Sequence, residues 1–103
     1  MTPTTTSPPL PAIPDDVRAF AAARGAADYL EPLLDLARQC FAGAPLSIFL
    51  EEDLEITDRW FIVIDVDVTD WDTDRFMAAY DRWSMAKVAM CPPDLREYFL
   101  LGW

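Results

Sequence analysis

Five aspartates fall within the eleven residues "IDVDVTDWDTD", Ile64–Asp74, directly after a run of large apolar side chains. Alternating carboxylates can bind a hard cation. Asp70, Asp72 and Asp74 stand at positions 1, 3 and 5 of an EF-hand-like count, with Asp81 at position 12. The sixth position of such a loop needs a glycine for its sharp turn, and here it is Arg75. The twelfth is Asp rather than a bidentate Glu, a strand rather than a helix precedes the loop, and an apolar helical stripe already begins at Phe76. The spacing therefore excludes an EF-hand.

Asp65 and Asp67 offer a second possibility. On a strand they share one face, about 7 Å apart. Two carboxylates so placed can hold Mg²⁺ or Mn²⁺ for phosphoryl transfer or hydrolysis, with Glu51 and Asp53 of a neighbouring strand expected near them. The simpler reading places these acids on the solvent half of a strand end, and Asp70 or Asp72 at the N-terminus of the following helix. Carboxylates there gain ~0.3–1 kcal/mol each from the helix dipole. That reading uses every aspartate without a ligand. It assigns no metal and no cofactor.

Other chemistry is closed off by absence. The 103 residues contain no His and no Asn, one Lys (Lys87) and one Gln (Gln39). No Ser-His or Cys-His pair can form, and imidazole zinc sites are excluded. The three glycines, Gly25, Gly43 and Gly102, build no phosphate loop. Cys40 and Cys91 are far apart in apolar surroundings and read as reduced thiols of a cytoplasmic protein. With 18 acidic against 8 basic residues, the formal charge is −10. Such a surface repels nucleic-acid phosphates and anionic lipid, and its complement is a basic protein or a cation. No signal peptide and no apolar run of the ~20 residues a bilayer requires is expected.

The elements that position these residues follow from periodicity. "MTPTTTSPPLPAI", residues 1–13, reads as a disordered tail and 14–103 as one domain. Asp15 is placed to cap a short helix over 16–24, which Gly25 ends. "DYLE" from Asp28 has the form of a capping box, and Leu30, Leu33, Leu34, Ala37 and Phe41 recur at helical spacing, predicting a helix over 29–42. Leu46, Ile48 and Leu50 alternate with Ser47, Phe49 and Glu51, predicting a strand. Trp60, Ile62, Ile64, Val66 and Val68 line one face of a second strand, antiparallel to the first across a loop of four or more residues. Phe76, Ala79, Tyr80, Trp83, Ala86 and Met90 stripe a long helix that "CPP" ends, and "REYFLLGW" reads as a third strand.

The fold class is thus α+β in the order α-β-β-α-β, a three-stranded sheet with two main helices on one face. The last strand either follows a right-handed crossover to lie parallel to the second or pairs with the first. Asp53, Glu55, Asp58, Asp65 and Asp67 are expected to gather at one sheet end. Phe49, Phe61 and Val63 would lie on the uncovered face, and exposed apolar surface ringed by charge marks an interface. A homodimer through that face or an edge strand follows.

The runs "YLEPLLDLARQCF", "LSIFLEEDLEITDRWFIVIDVDV" and "AAYDRW" resemble a group of small, acidic, uncharacterised bacterial proteins, over roughly residues 29–101. The resemblance implies the same element order, nothing catalytic, and a likeness to the antitoxin half of two-gene modules. The expected function is a non-enzymatic interaction module, antitoxin- or immunity-like, that binds a basic partner. Glu51, Glu52, Asp53, Glu55, Asp65 and Asp67 would form its acidic surface, with Phe61 and Trp71 as anchors. The alternative is a Mg²⁺- or Mn²⁺-dependent enzyme using Asp65 and Asp67.

Overall fold

A computed structural model describes residues 11–103; most of the expected tail lies outside the described residues. The chain runs α1 (Asp15–Ala23), a 3₁₀ turn (Ala27–Tyr29), α2 (Leu30–Cys40), β1 (Leu46–Glu52), β2 (Trp60–Val66), α3 (Thr73–Met90), a single turn α4 (Pro93–Arg96) and β3 (Phe99–Gly102). The expected α+β order, with a three-stranded sheet and the helices on one face, is what forms.

Local chemistry sets most boundaries. Asp72 caps α3: its Oδ1 accepts from the Arg75 N–H at 2.7 Å. At the other end Arg96 donates to the Val88 and Cys91 carbonyls, at 2.8 and 2.9 Å, tying α4 to the last turn of α3. Gly25 and Gly43, at φ +71° and +88°, take the left-handed conformation that stops α1 and α2.

Two expected caps do not form. Pro14, not Asp15, occupies the cap position of α1, and no side chain bonds there. Asp28 lies inside the 3₁₀ turn, so its carboxylate is not at the start of α2, where Tyr29 stands without a side-chain cap. The D-x-x-E pattern matched in spacing, but the turn took up the residue meant for the cap. The third strand is also shorter than "REYFLLGW", because α4 consumes Arg96.

β2 is central. β1 pairs antiparallel to it from Leu46↔Val66 to Glu52↔Trp60. β3 pairs parallel to it from Ile62↔Phe99 to Asp65↔Gly102, which decides between the two expected pairings. One sheet face carries Ile48, Ile62, Ile64, Val66 and Phe99 into a core with Val17 and Ala21 of α1, Leu33, Leu34 and Ala37 of α2, and Ala79 and Trp83 of α3. Phe41 closes one end, its ring 5.8 Å from Trp71 and 6.1 Å from Phe76. None of the described helices is long and apolar enough to cross a membrane.

Candidate functional site

The register decides which acids meet. Glu51 stands opposite Phe61 and Glu52 opposite Trp60, at the start of β2. Asp65 stands opposite Ser47 and beside Gly102, at its end. Phe61 and Asp65 are four residues apart on one strand, roughly 13 Å at strand rise. The carboxylates therefore divide between two sheet ends and do not gather at one. Glu51 and Asp53 cannot join Asp65 and Asp67 in a cation site, which corrects that expectation.

Among the described residues no group of three or more Cys, Asp or Glu side chains is placed to hold a metal ion. Asp67 is engaged locally. Its Oδ1 accepts from the Thr69 hydroxyl at 2.7 Å and from the Thr69 N–H at 3.2 Å. These bonds, the hydroxyl first, hold the carboxyl below the usual aspartate range. A general acid or base working near neutrality needs the opposite shift.

Five of the expected residues do converge. Glu51, Glu52, Asp53, Glu55 and Phe61 line a single open cleft of about 360 Å³ together with Leu54 and Leu100. Its floor comes from the helix-free sheet face, where Phe49 faces Val63 and Val63 faces Leu100 across the strands. Phe49 and Leu100 remain 39% and 38% exposed, whereas Val63 is covered and lies outside the helix-side core cluster. The wall is the β1–β2 loop, residues 53–59. Asp53 shapes that loop: its Oδ1 accepts from the N–H groups of Glu55 and Ile56 at 2.8 and 3.2 Å, and its own N–H donates to the Arg59 carbonyl at 2.7 Å. Asp58, at φ +64°, supplies the left-handed residue that closes the loop, a conformation aspartate tolerates better than most. The result holds Leu54 wholly in solvent among four carboxylates.

Sequence reasoning missed Leu54 and Leu100. Leu54 carried a signal, since an apolar residue in an acidic turn has no folding reason to be there. Leu100 carried none, because its face depends on β3 pairing with β2. Trp71, expected as an anchor, lies on the helical side instead. It is half-buried against Phe41, with the Arg75 guanidinium 3.6 Å over its ring.

Arg59 lies beside the cleft residue Phe61. Its guanidinium lies 5.2 Å from the Phe61 ring and 3.9 Å from the Glu97 carboxylate, so it offsets part of the local negative charge. The two thiols are both free, Cys40 half-buried and Cys91 buried. Burial pushes the Cys91 thiol up, partly countered by Lys87 and Arg96 nearby. Because only the thiolate alkylates, iodoacetamide on the native protein near pH 8 is expected to modify Cys40 well before Cys91. Mass spectrometry of the labelled peptides checks this, and equal rates would mean that the α3–α4 corner opens.

No protein-family model, no curated protein and no solved structure matches the chain. The site's geometry and charge are therefore the whole basis for a functional reading.

Proposed function

We propose that the protein is a non-enzymatic, acidic interaction module of the bacterial cytoplasm that binds a basic partner protein, as antitoxin and immunity proteins do. The observation that carries this is the cleft itself: an apolar floor of Phe61 and Leu100, an apolar wall at Leu54, and a rim of Glu51, Glu52, Asp53 and Glu55. An apolar centre inside a charged rim is the anatomy of a protein interface. Exposing Leu54 fully costs the free chain hydrophobic burial that a partner would restore. The formal charge of −10 accelerates association with a cation-rich surface and makes it sensitive to salt.

The test compares capture by the wild-type protein with capture by a triple variant, Glu51→Gln, Glu52→Gln and Glu55→Gln. Asp53 stays, since its carboxylate holds the loop. At low salt the wild type is expected to retain one basic protein in stoichiometric amount. The variant should release it, as should wild type at about 0.5 M salt, where the Debye length falls to a few Å. Equal retention by both proteins removes the acidic rim from the binding surface. A melting-temperature rise in millimolar Mg²⁺ or Mn²⁺, abolished by Asp65→Asn, would favour the metal-dependent enzyme instead.

A further inference from the structure

β1 forms the longer outer edge of the sheet, and two backbone bonds fix which of its groups are left open. The Asp53 N–H donates to the Arg59 carbonyl at 2.7 Å, and the Asp67 N–H to the Pro45 carbonyl at 2.9 Å. In the antiparallel register these bonds place Ser47, Phe49 and Glu51 in the pairs that exchange hydrogen bonds with β2. Leu46, Ile48, Leu50 and Glu52 therefore turn their N–H and C=O groups away from β2. β2 obeys the same parity, since its Ile62 N–H points the other way and donates to the Tyr98 carbonyl at 2.7 Å. Among the described residues no backbone group bonds to the outward side of β1.

Edge strands usually carry a proline, a lysine or a bulge that discourages further pairing. β1, "LSIFLEE", has none of these, and its pairing runs unbroken from Leu46 to Glu52. Its charge lies at one end only, on Glu51 and Glu52, continuous with Asp53 and Glu55 of the cleft.

We propose that the β1 edge takes an extended segment of the basic partner as a fourth strand, with Lys or Arg beside Glu51 and Glu52 and apolar side chains beside Ile48 and Phe49. The proposal rests on the acidic docking function above and adds its binding mode. In strand addition the main chain supplies affinity and alternate side chains supply specificity. Charge selects the occupant. A second copy would bring another −10 to the same edge, whereas a basic segment gains from each opposite-charge cross-strand pair. Arg59 opposes this only weakly, being at the β2 end of the loop and already beside Glu97.

The experiment uses the full chain and a short fluorescent peptide with Val and Thr through its length and two adjacent Arg at one end, to lie beside Ile48 and Phe49 and beside Glu51 and Glu52 respectively. A second peptide of the same sequence is methylated on its central backbone nitrogens. Fluorescence anisotropy at low salt is expected to show at least about tenfold weaker binding of the methylated peptide, the effect of ~1.4 kcal/mol. Glu52→Pro deletes one outward N–H without touching the β2 ladder, so it should weaken binding more than Glu52→Gln does. Equal affinity for the two peptides overturns strand addition and leaves the acidic docking reading standing. Failure of the unmethylated peptide to bind at millimolar concentration also overturns strand addition, while the capture experiment decides the docking reading separately. A dimer in sedimentation that Glu52→Pro abolishes makes a second copy the occupant and overturns the proposal as well. If Glu52→Pro does not fold, the peptide comparison still decides, because it needs no variant.

Discussion

Trp83→Ala is expected to cost about 3–5 kcal/mol, the range for deleting a buried aromatic side chain. Trp83 is 2% exposed and lies where α3 meets the sheet-side core. A domain of this size commonly has 5–15 kcal/mol in all, so the variant should melt far below the wild type. Each kcal/mol shifts Tm by roughly 4–8 °C at this length. Trp83→Phe should behave quite differently. The indole Nε1 is buried without a hydrogen-bond partner among the described residues, and such a donor costs ~1–3 kcal/mol. Phenylalanine removes that donor. It also leaves a smaller cavity and keeps a ring face for the Lys87 ammonium, which sits 5.0 Å from the indole and donates to the Phe99 carbonyl at 3.0 Å. The gain and the loss are of similar size, so the net change should stay within about 1 kcal/mol. Thermal denaturation of the two variants checks the pair. A phenylalanine variant as damaged as the alanine one would mean that the indole N–H has an acceptor after all.

The elements that were easiest to read share a physical reason. α3 and α2 announce themselves because a helix that buries one stripe must repeat it every three or four residues, and Leu30, Leu33, Leu34, Ala79 and Trp83 do so. β1 and β2 were legible from period two, and the left-handed stops at Gly25 and Gly43 from the lack of a Cβ. Caps were less legible. Asp72 and Asp28 have the same local credentials, yet only Asp72 bonds a helix N–H, because a 3₁₀ turn absorbed Asp28 before α2 began. The site was half legible. Alternation identified the faces of Glu51 and Phe61, and composition identified the acidic loop. The division of the acids between two sheet ends was not readable, since it depends on the residue opposite each one. The seven-residue loop, within the expected four or more, turns the hairpin at 53–59, so Glu51 stays beside the turn while Asp65 falls opposite Ser47 at the far end. Leu100 was hidden for the same reason, as a parallel partner cannot be inferred from a four-residue strand.

β3 gives the sharpest separation of stability from binding, because neighbouring residues on it face opposite ways. Phe99 is fully buried, in register with Ile62, and packs into the core. Phe99→Ala should cost about 3–5 kcal/mol and loosen β3 as a whole, since four residues hold few ladder bonds to compensate. Leu100, its neighbour, is 38% exposed and forms the cleft floor beside Phe61. Leu100→Ser should cost less, about 1 kcal/mol, because over a third of the side chain is already in solvent. If the cleft docks a partner, the same substitution removes an apolar anchor from the centre of the interface, where truncations can cost 2 kcal/mol or more, about thirtyfold in affinity. Phe99→Ala should weaken binding only as far as it unfolds the protein, so excess partner should partly restore its Tm by mass action. Leu100→Ser should lose only about 4–8 °C of Tm and still bind poorly. Calorimetric melting combined with binding titration of both variants distinguishes the two cases. If Leu100→Ser binds the captured partner as tightly as wild type does, the open sheet face is not the docking surface, and the contact must lie on the β1 edge or elsewhere.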